Sequence, residues 1–301
     1  MATEFFTLAK DQIDRLPRDK TVFFIPVGPM EDHGPHLPVG LDGLIALNLC
    51  KRMAEKLEAE KSGWHSVILP NVPIGVETNT SVLRLKVRSH VLRDYLIDLC
   101  EGLHHAGFRY FVCFTGHPGP KQLTTIEEAS VWLRRRTGGF FSRKGAVLVS
   151  AMSGLVTRKQ VMKSPLNLDP EEHGGALDTS IAQVVAPSLV GGQFRELQPR
   201  ILPKSAWQRN WLRKRNALEG YWGSPATADV KAGEHWLKET VDAIFPKLQS
   251  VLSGDPVVTH FKSWYSVIPA NRSLFRVWLL FWLVLFLVGA WILVVLGSFD
   301  A

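Results

Sequence analysis

Cysteine is scarce: among 301 residues there are three, Cys50, Cys100 and Cys113. They lie far apart in apolar surroundings and form no Cys-x-x-Cys pair. That argues against a disulfide framework and against a thiolate zinc site, and leaves them as small core residues of a reducing compartment. Concentrated charge is also missing. The formal net charge is +7, but no long basic run or aromatic–basic repeat is present to grip nucleic acid. The excess is more simply read as that of a domain lying near an anionic membrane. Residues Met1 to Lys20 alternate charged and apolar side chains and lack the apolar core of a secretory signal. There is no internal repeat.

One long hydrophobic run is present. From Val277 to Gly297 no residue is charged, and a helix needs roughly 20 apolar residues to cross a bilayer core. The alternative, a buried core helix, fits poorly with a run that is apolar all round and is followed only by Ser298 to Ala301. Lys262, Arg272 and Arg276 precede it, which by the positive-inside rule predicts a single-pass C-terminal anchor with the catalytic part cytoplasmic. The expected layout is therefore a domain over 1–253, a linker over 254–273 and a transmembrane helix over 274–298.

The first 253 residues alternate strand-like and helix-like segments. Apolar runs predict strands over Thr21–Val27, Ser66–Val72, Arg109–Phe114 and Ala146–Ala151. Periodic segments predict helices over Asp42–Leu57, Ser89–Ala106 with Ser89 as N-cap, Lys121–Arg136 and Val230–Leu252. This pattern implies an α/β fold, a three-layer α/β/α sandwich around a mostly parallel sheet, with ligands bound outside the carboxyl ends of the strands. A segment rich in Trp and basic residues (Trp207, Arg209, Trp211, Arg213) fits a membrane-surface element and a solvated helix about equally.

Two loops that follow predicted strands carry the chemistry. After Thr21–Val27 comes Gly28-Pro29-Met30-Glu31-Asp32-His33-Gly34-Pro35-His36-Leu37-Pro38, leading to Asp42. Glu31 and His33 are two apart, so in extended backbone they point the same way. His117 sits in a Gly-flanked loop after the third strand. Two carboxylates and two imidazoles at strand ends suit Zn, Mn or Fe. On spacing alone each residue keeps a plainer reading: Asp42 as a helix N-cap, Glu31 as an exposed loop acid, His117 as a hydrogen-bonded loop histidine, and His36 as a structural residue.

The first of these segments, together with Asp42, resembles the first signature of the creatininase family. Thr115-Gly116-His117 resembles its Asn-Gly-His loop, and Glu172-His173-Gly174-Gly175-Ala176-Leu177-Asp178-Thr179-Ser180 resembles its third signature. Gly220 to Pro225, with Ala228, Asp229 and Gly233, is similar to the Gly-x-x-Gly-Asp-Pro region that follows. The resemblance runs from about Thr21 to Leu252. It implies two divalent ions per subunit (Zn, Mn or Fe), hydrolysis of a C–N bond in a small polar substrate by metal-activated water, and a closed homo-oligomer. On that pattern Glu31, Asp42 and His117 hold one ion, His33 and Asp42 the other with Asp42 bridging, and His173 is the acid/base.

The chain departs from the pattern at informative places. The Glu that completes the second metal site in creatininase itself is Gly119 here. Of the two Glu positions that relatives use in the third signature, one is Ala176 and the other Asp178, one methylene shorter. Asp178 is therefore the candidate second-site acid, with Glu172 as a further candidate beside His173. Gly75 to Ser81 is shorter than the family's substrate-proximal stretch and lacks its His. Two alternatives stay open: a peptidase or deformylase on the same scaffold, and a catalytically inactive, membrane-tethered metal-binding scaffold.

Overall fold

The computed structural model describes residues 3–78, 85–138, 145–156, 172–203, 205, 207–208, 211–212, 219–268, 271 and 275–297, with the side chains of the last helix described over 278–293. Thr80, Ser81, Arg209, Arg213, Arg272 and Ser298, which figured in the reading above, lie outside these residues, as does the side chain of Arg276.

The sheet is built from β1 (Thr3–Glu4), β2 (Thr21–Val27), β3 (His65–Ile68), β4 (Tyr110–Thr115) and β5 (Val147–Ser150) in the order β1-β3-β2-β4-β5. Every pairing is parallel. All seven residues of β2 are buried, because it is a central strand covered on both faces. That is why the segment reads as a continuous apolar run rather than an alternating one. The pleat divides it: Val22 and Phe24 pack on one side, Phe23, Ile25 and Val27 on the other.

Helix α1 (Lys10–Asp14) precedes β2. Helix α2 (Leu41–Glu60) lies on the Val22/Phe24 face, and α3 (Ser89–His105) and α4 (Pro120–Gly138) lie on the opposite face. Two further helices, α5 (Ala176–Val185) and α6 (Val230–Leu252), pack on each other and join α2 through Ile181, Leu237 and Ile244. The result is the expected three-layer sandwich.

Local differences have local causes. Strand β3 stops at Ile68, short of the expected Val72, since Pro70 has no N–H to extend a ladder; the chain rejoins β2 only through a single bridge between Val27 and Val72. Asp42 is not the cap of α2. Gly40 is, and Asp42 sits inside the first turn. Ser89 is likewise the first residue of α3, with Arg88 at the cap position. The short helix α5 was not legible, because Gly174 and Gly175 hide its start and it runs only to Val185.

Of the stretch expected as a linker, 254–268 and Asn271 are described, and they pack on the domain. Helix α7 (Val257–His260) leads to Phe261, 2% exposed, and to a 3-10 turn at Trp264–Val267. The Ser263 N–H donates to Glu127 Oε1 at 2.9 Å, Trp264 N–H to the Val156 carbonyl at 2.8 Å, and the Thr124 hydroxyl to the Asn271 carbonyl at 2.8 Å. This segment is docked against α4.

The last helix, α8 (Phe275–Gly297), forms where the uncharged run places it. Among the described residues, however, no helix is long and apolar enough to cross a membrane. The expected transmembrane helix over 274–298, and the membrane-anchored localisation drawn from it, are corrected accordingly.

Phe261 and the side chains of α8 therefore differ in what they do for stability. Phe261→Ala is expected to cost about 3–5 kcal/mol in urea unfolding. Trp282→Ala, at a side chain 53% exposed, is expected to stay within about 0.5 kcal/mol of the parent. A Phe261→Ala loss as small as that of Trp282→Ala would show that Phe261 is not part of the folded core.

Candidate metal centre

The carboxyl ends of β2 and β4 meet the first turn of α2. The approach is so close that no side chain fits between them: a Cβ on Gly28 would collide with the backbone of Asp42 and Gly43, and a Cβ on Gly116 with the backbone of Asp42. The two glycines thus let two loops close over one helical turn. The loop after β2 is tied off by the Glu31 N–H donating to the Val39 carbonyl at 2.8 Å.

This wedge buries three acceptors and donors that polar side chains seldom lose to water: Glu31 is 0% exposed, His33 2% and Asp42 3%. His117 Nδ1 lies 2.9 Å from Glu31 Oε2 and 3.7 Å from Asp42 Oδ2. His33 Nδ1–H donates to the Glu31 carbonyl at 3.1 Å, which turns Nε2 toward Asp42 Oδ1 at 3.7 Å. Asp42 therefore faces one imidazole with each of its oxygens, the posture of a bridging carboxylate.

The second group comes from the third motif. Potential ligand atoms of Glu31, Asp42 and His117 lie within 4.8 Å of one another, and so do those of His33, His173 and Asp178. Asp178, in the first turn of α5, keeps one oxygen on the Gly174 N–H at 2.7 Å. The His173 ring is sandwiched between His33, with centroids 4.3 Å apart and planes 26° apart, and Trp222 at 4.8 Å and 29°. Its Nε2–H donates to the Asp32 carbonyl at 2.7 Å, so Nδ1 is the atom left for chemistry. An imidazole binds a metal in its own ring plane, and two nearly parallel stacked rings cannot both do so for one ion. His33 and His173 are therefore alternative donors to one ion at this position.

Glu172 is not brought to either group. Its carboxylate accepts from the Ala176 and Leu177 N–H groups at 3.2 and 2.5 Å, satisfying the amino end of α5. Glu172, expected beside His173 as a candidate acid, is thus engaged with the start of α5. His36 plays the structural part, with Nε2 2.9 Å from the Thr179 hydroxyl. Two neighbours escaped the sequence reading: Trp222, whose signal lay in the Gly220–Pro225 segment, and Glu77, in the Gly75–Ser81 stretch. A cavity of about 910 Å³ lies elsewhere, at the amino ends of β4 and β5, lined among others by Tyr110, Trp132, Phe261 and Trp278 and by none of the donors.

The donors fit a divalent ion. They are mixed N and O ligands, and Asp42 Oδ2 and His117 Nε2 are buried without a hydrogen-bond partner among the described residues. Burial alone would strip the charge from His33, but the nearby carboxylates of Asp42, Asp178 and Glu31 override it and raise its pKa to about 10. His117 is raised to about 9 against its own burial, by Glu31 and Asp42. Burial opposes ionisation of Glu31 too, yet His117 holds it down to about 2. His173 is lowered to about 4 by burial and by the neighbouring His33 charge. Without metal, protons on His33 and His117 thus supply the two cations that the buried acids require.

A fold and a donor set of this kind define an α/β protein with a candidate site for divalent metal. The family model described as creatinine amidohydrolase matches residues 7–248, and the chain belongs to that creatininase family. It is 26% identical to the creatinine amidohydrolase of Pseudomonas putida over 196 residues, 60% of this chain and 70% of that protein. It is 27% identical to the 3-dehydro-scyllo-inosose hydrolase of Thermotoga maritima over 118 residues, 38% of this chain and only 35% of that protein. Among solved structures, creatininase superposes with a TM-score of 0.63 at 22% identity, covering 84% of this chain and 99% of that one, and so does its manganese form. A creatininase variant of zinc–zinc type matches at 0.63 and 21%, and one complexed with creatine at 0.62 and 21%. At these identities the solved structures establish the fold.

Because a metal must displace the imidazolium protons, loading at pH 7.5 is expected to release about two protons per chain. The sign follows from the raised values: metal affinity climbs with pH until His33 and His117 have titrated, near 9 to 10. Calorimetric titration in buffers of different ionisation enthalpy measures the release directly, and a release near zero would contradict this charge arrangement.

Proposed function

We propose that the chain is a binuclear metal-dependent hydrolase of a C–N bond, an amide in a small polar molecule. The observation that carries this reading is the single buried Asp42, 3.7 Å from His33 through one oxygen and 3.7 Å from His117 through the other. On this reading Glu31, Asp42 and His117 hold one ion, and His33, Asp42 and Asp178 hold the second. When bound, such a pair activates water at neutral pH and polarises a carbonyl.

The remaining work belongs to the protein. Glu31 and Asp42 supply the buried negative charge that retains the ions, and the Asp32 carbonyl fixes the His173 tautomer by taking its Nε2–H. His173 Nδ1, lowered in basicity by its surroundings, is neutral at pH 7 and free to accept a proton and deliver it to the departing nitrogen. Trp222 and His33 on either side hold the ring in one orientation. The similarity to the Pseudomonas putida enzyme favours a cyclic amide as the substrate class.

Elemental analysis of the purified chain is expected to find two equivalents of Mn, Zn or Fe, both lost in Asp42→Ala. His173→Asn is expected to keep both ions while turnover of a cyclic-amide panel falls by about 10²–10⁴-fold. One equivalent or none, together with no amidase activity across the panel, would sink the hydrolase reading and leave a catalytically inactive scaffold.

A further inference from the structure

We propose that Glu77 is a positioning residue that holds His117 in place for its metal, in the space left by Gly119; this rests on the reading of Glu31, Asp42 and His117 as ligands. Turning Nδ1 toward Glu31 and Asp42 leaves the far nitrogen of His117, Nε2, buried and without a hydrogen-bond partner among the described residues. A metal-bound imidazole almost always passes that distal N–H to a carboxylate, a carbonyl or water, which fixes the tautomer and the ring angle.

Glu77 is placed to receive it. The point where a Gly119 Cβ would stand lies 2.6 Å from His117 Nε2 and 3.0 Å from Glu77 Oε2. The imidazole nitrogen and the carboxylate thus border the same small volume, and any side chain at position 119 would push into both. A Glu at 119, as in the creatininase pattern, would force His117 or Glu77 to shift in this backbone; the nearby carboxylate comes instead from the loop after β3.

That carboxylate is already anchored. Glu77 Oε2 accepts from the Lys121 N–H at 2.7 Å, in the first turn of α4. No other hydrogen bond to it involves the described residues. The same anchor keeps the carboxylate beside the volume that Nε2 borders. Its negative charge also favours the protonated form of His117, consistent with its facing that ring.

The competing role is structural, a cap on α4 and nothing more. Glu77→Gln separates the two, because the amide oxygen still accepts from Lys121 while the negative charge is lost. Co²⁺ is titrated into the full chain and into Glu77→Gln and Glu77→Ala, reading its visible absorption band for affinity and urea unfolding for stability. The expected result is a loss of at least about tenfold in Co²⁺ affinity for Glu77→Gln with the unfolding midpoint unchanged; Glu77→Ala is expected to lose both. Co²⁺ affinity within twofold of the parent in Glu77→Gln would overturn the positioning role and leave the metal site standing. A parent chain that binds no Co²⁺ would overturn both.

Discussion

The carboxylate of Asp42, buried in the first turn of α2 between the ends of β2 and β4, is the constraint on which the rest of the site depends. The amino end of a helix favours a negative charge, but a carboxylate 3% exposed still demands compensation at close range. Two imidazoles supply it, one per oxygen, and Glu31 adds a second buried acid. Gly28 and Gly116 make the arrangement possible by letting the loops after β2 and β4 pack against the Asp42 backbone. Sheet topology, glycine placement and helix start therefore converge on one side chain. The protons held by His33 and His117 mark where divalent ions would act.

The two halves of the site differ in how they are built. Glu31, Asp42 and His117 come from the ends of adjacent central strands and the helix packed on them, in the buried centre of the fold. His33, Asp178 and His173 depend on the start of α5, which is itself tied down by Glu172 and by the Gly174 N–H on Asp178. The third motif therefore divides its labour: one acid caps the helix, one faces the ligand cluster, and the histidine is clamped between two rings. On the proposed reading, its stacked posture suits His173 to proton transfer rather than ligation.

The fold was largely readable because both central-strand burial and helix periodicity leave strong marks: Thr21–Val27 and Val230–Leu252 have the bounds their patterns predict. Asp42 was readable as a donor but not as to its place in the helix, since an N-cap and a first-turn acid look alike in sequence. The role of Glu172 was not readable, because whether an acid beside His173 turns to the site or to the next helix depends on the backbone turn at Gly174. Trp222 and Glu77 were hidden for another reason: one stacks on His173 and the other borders the same small space as His117 across distances in sequence that no local pattern encodes. The apolar run from Val277 forms a helix but not the transmembrane one expected of it, while the docking of 254–268 depends on hydrogen bonds to Glu127 and Val156 that composition does not reveal.

The central claim is that Asp42 bridges two ions. Anomalous diffraction from crystals of the chain grown with Mn²⁺ or Zn²⁺ tests it most directly. The account requires two anomalous peaks flanking the Asp42 carboxylate, one coordinated by Glu31 and His117, the other by His33 and Asp178, with ligand distances of about 2.0–2.2 Å and His173 outside the coordination sphere. A single peak, or a peak coordinated by His173 in place of His33, would contradict it.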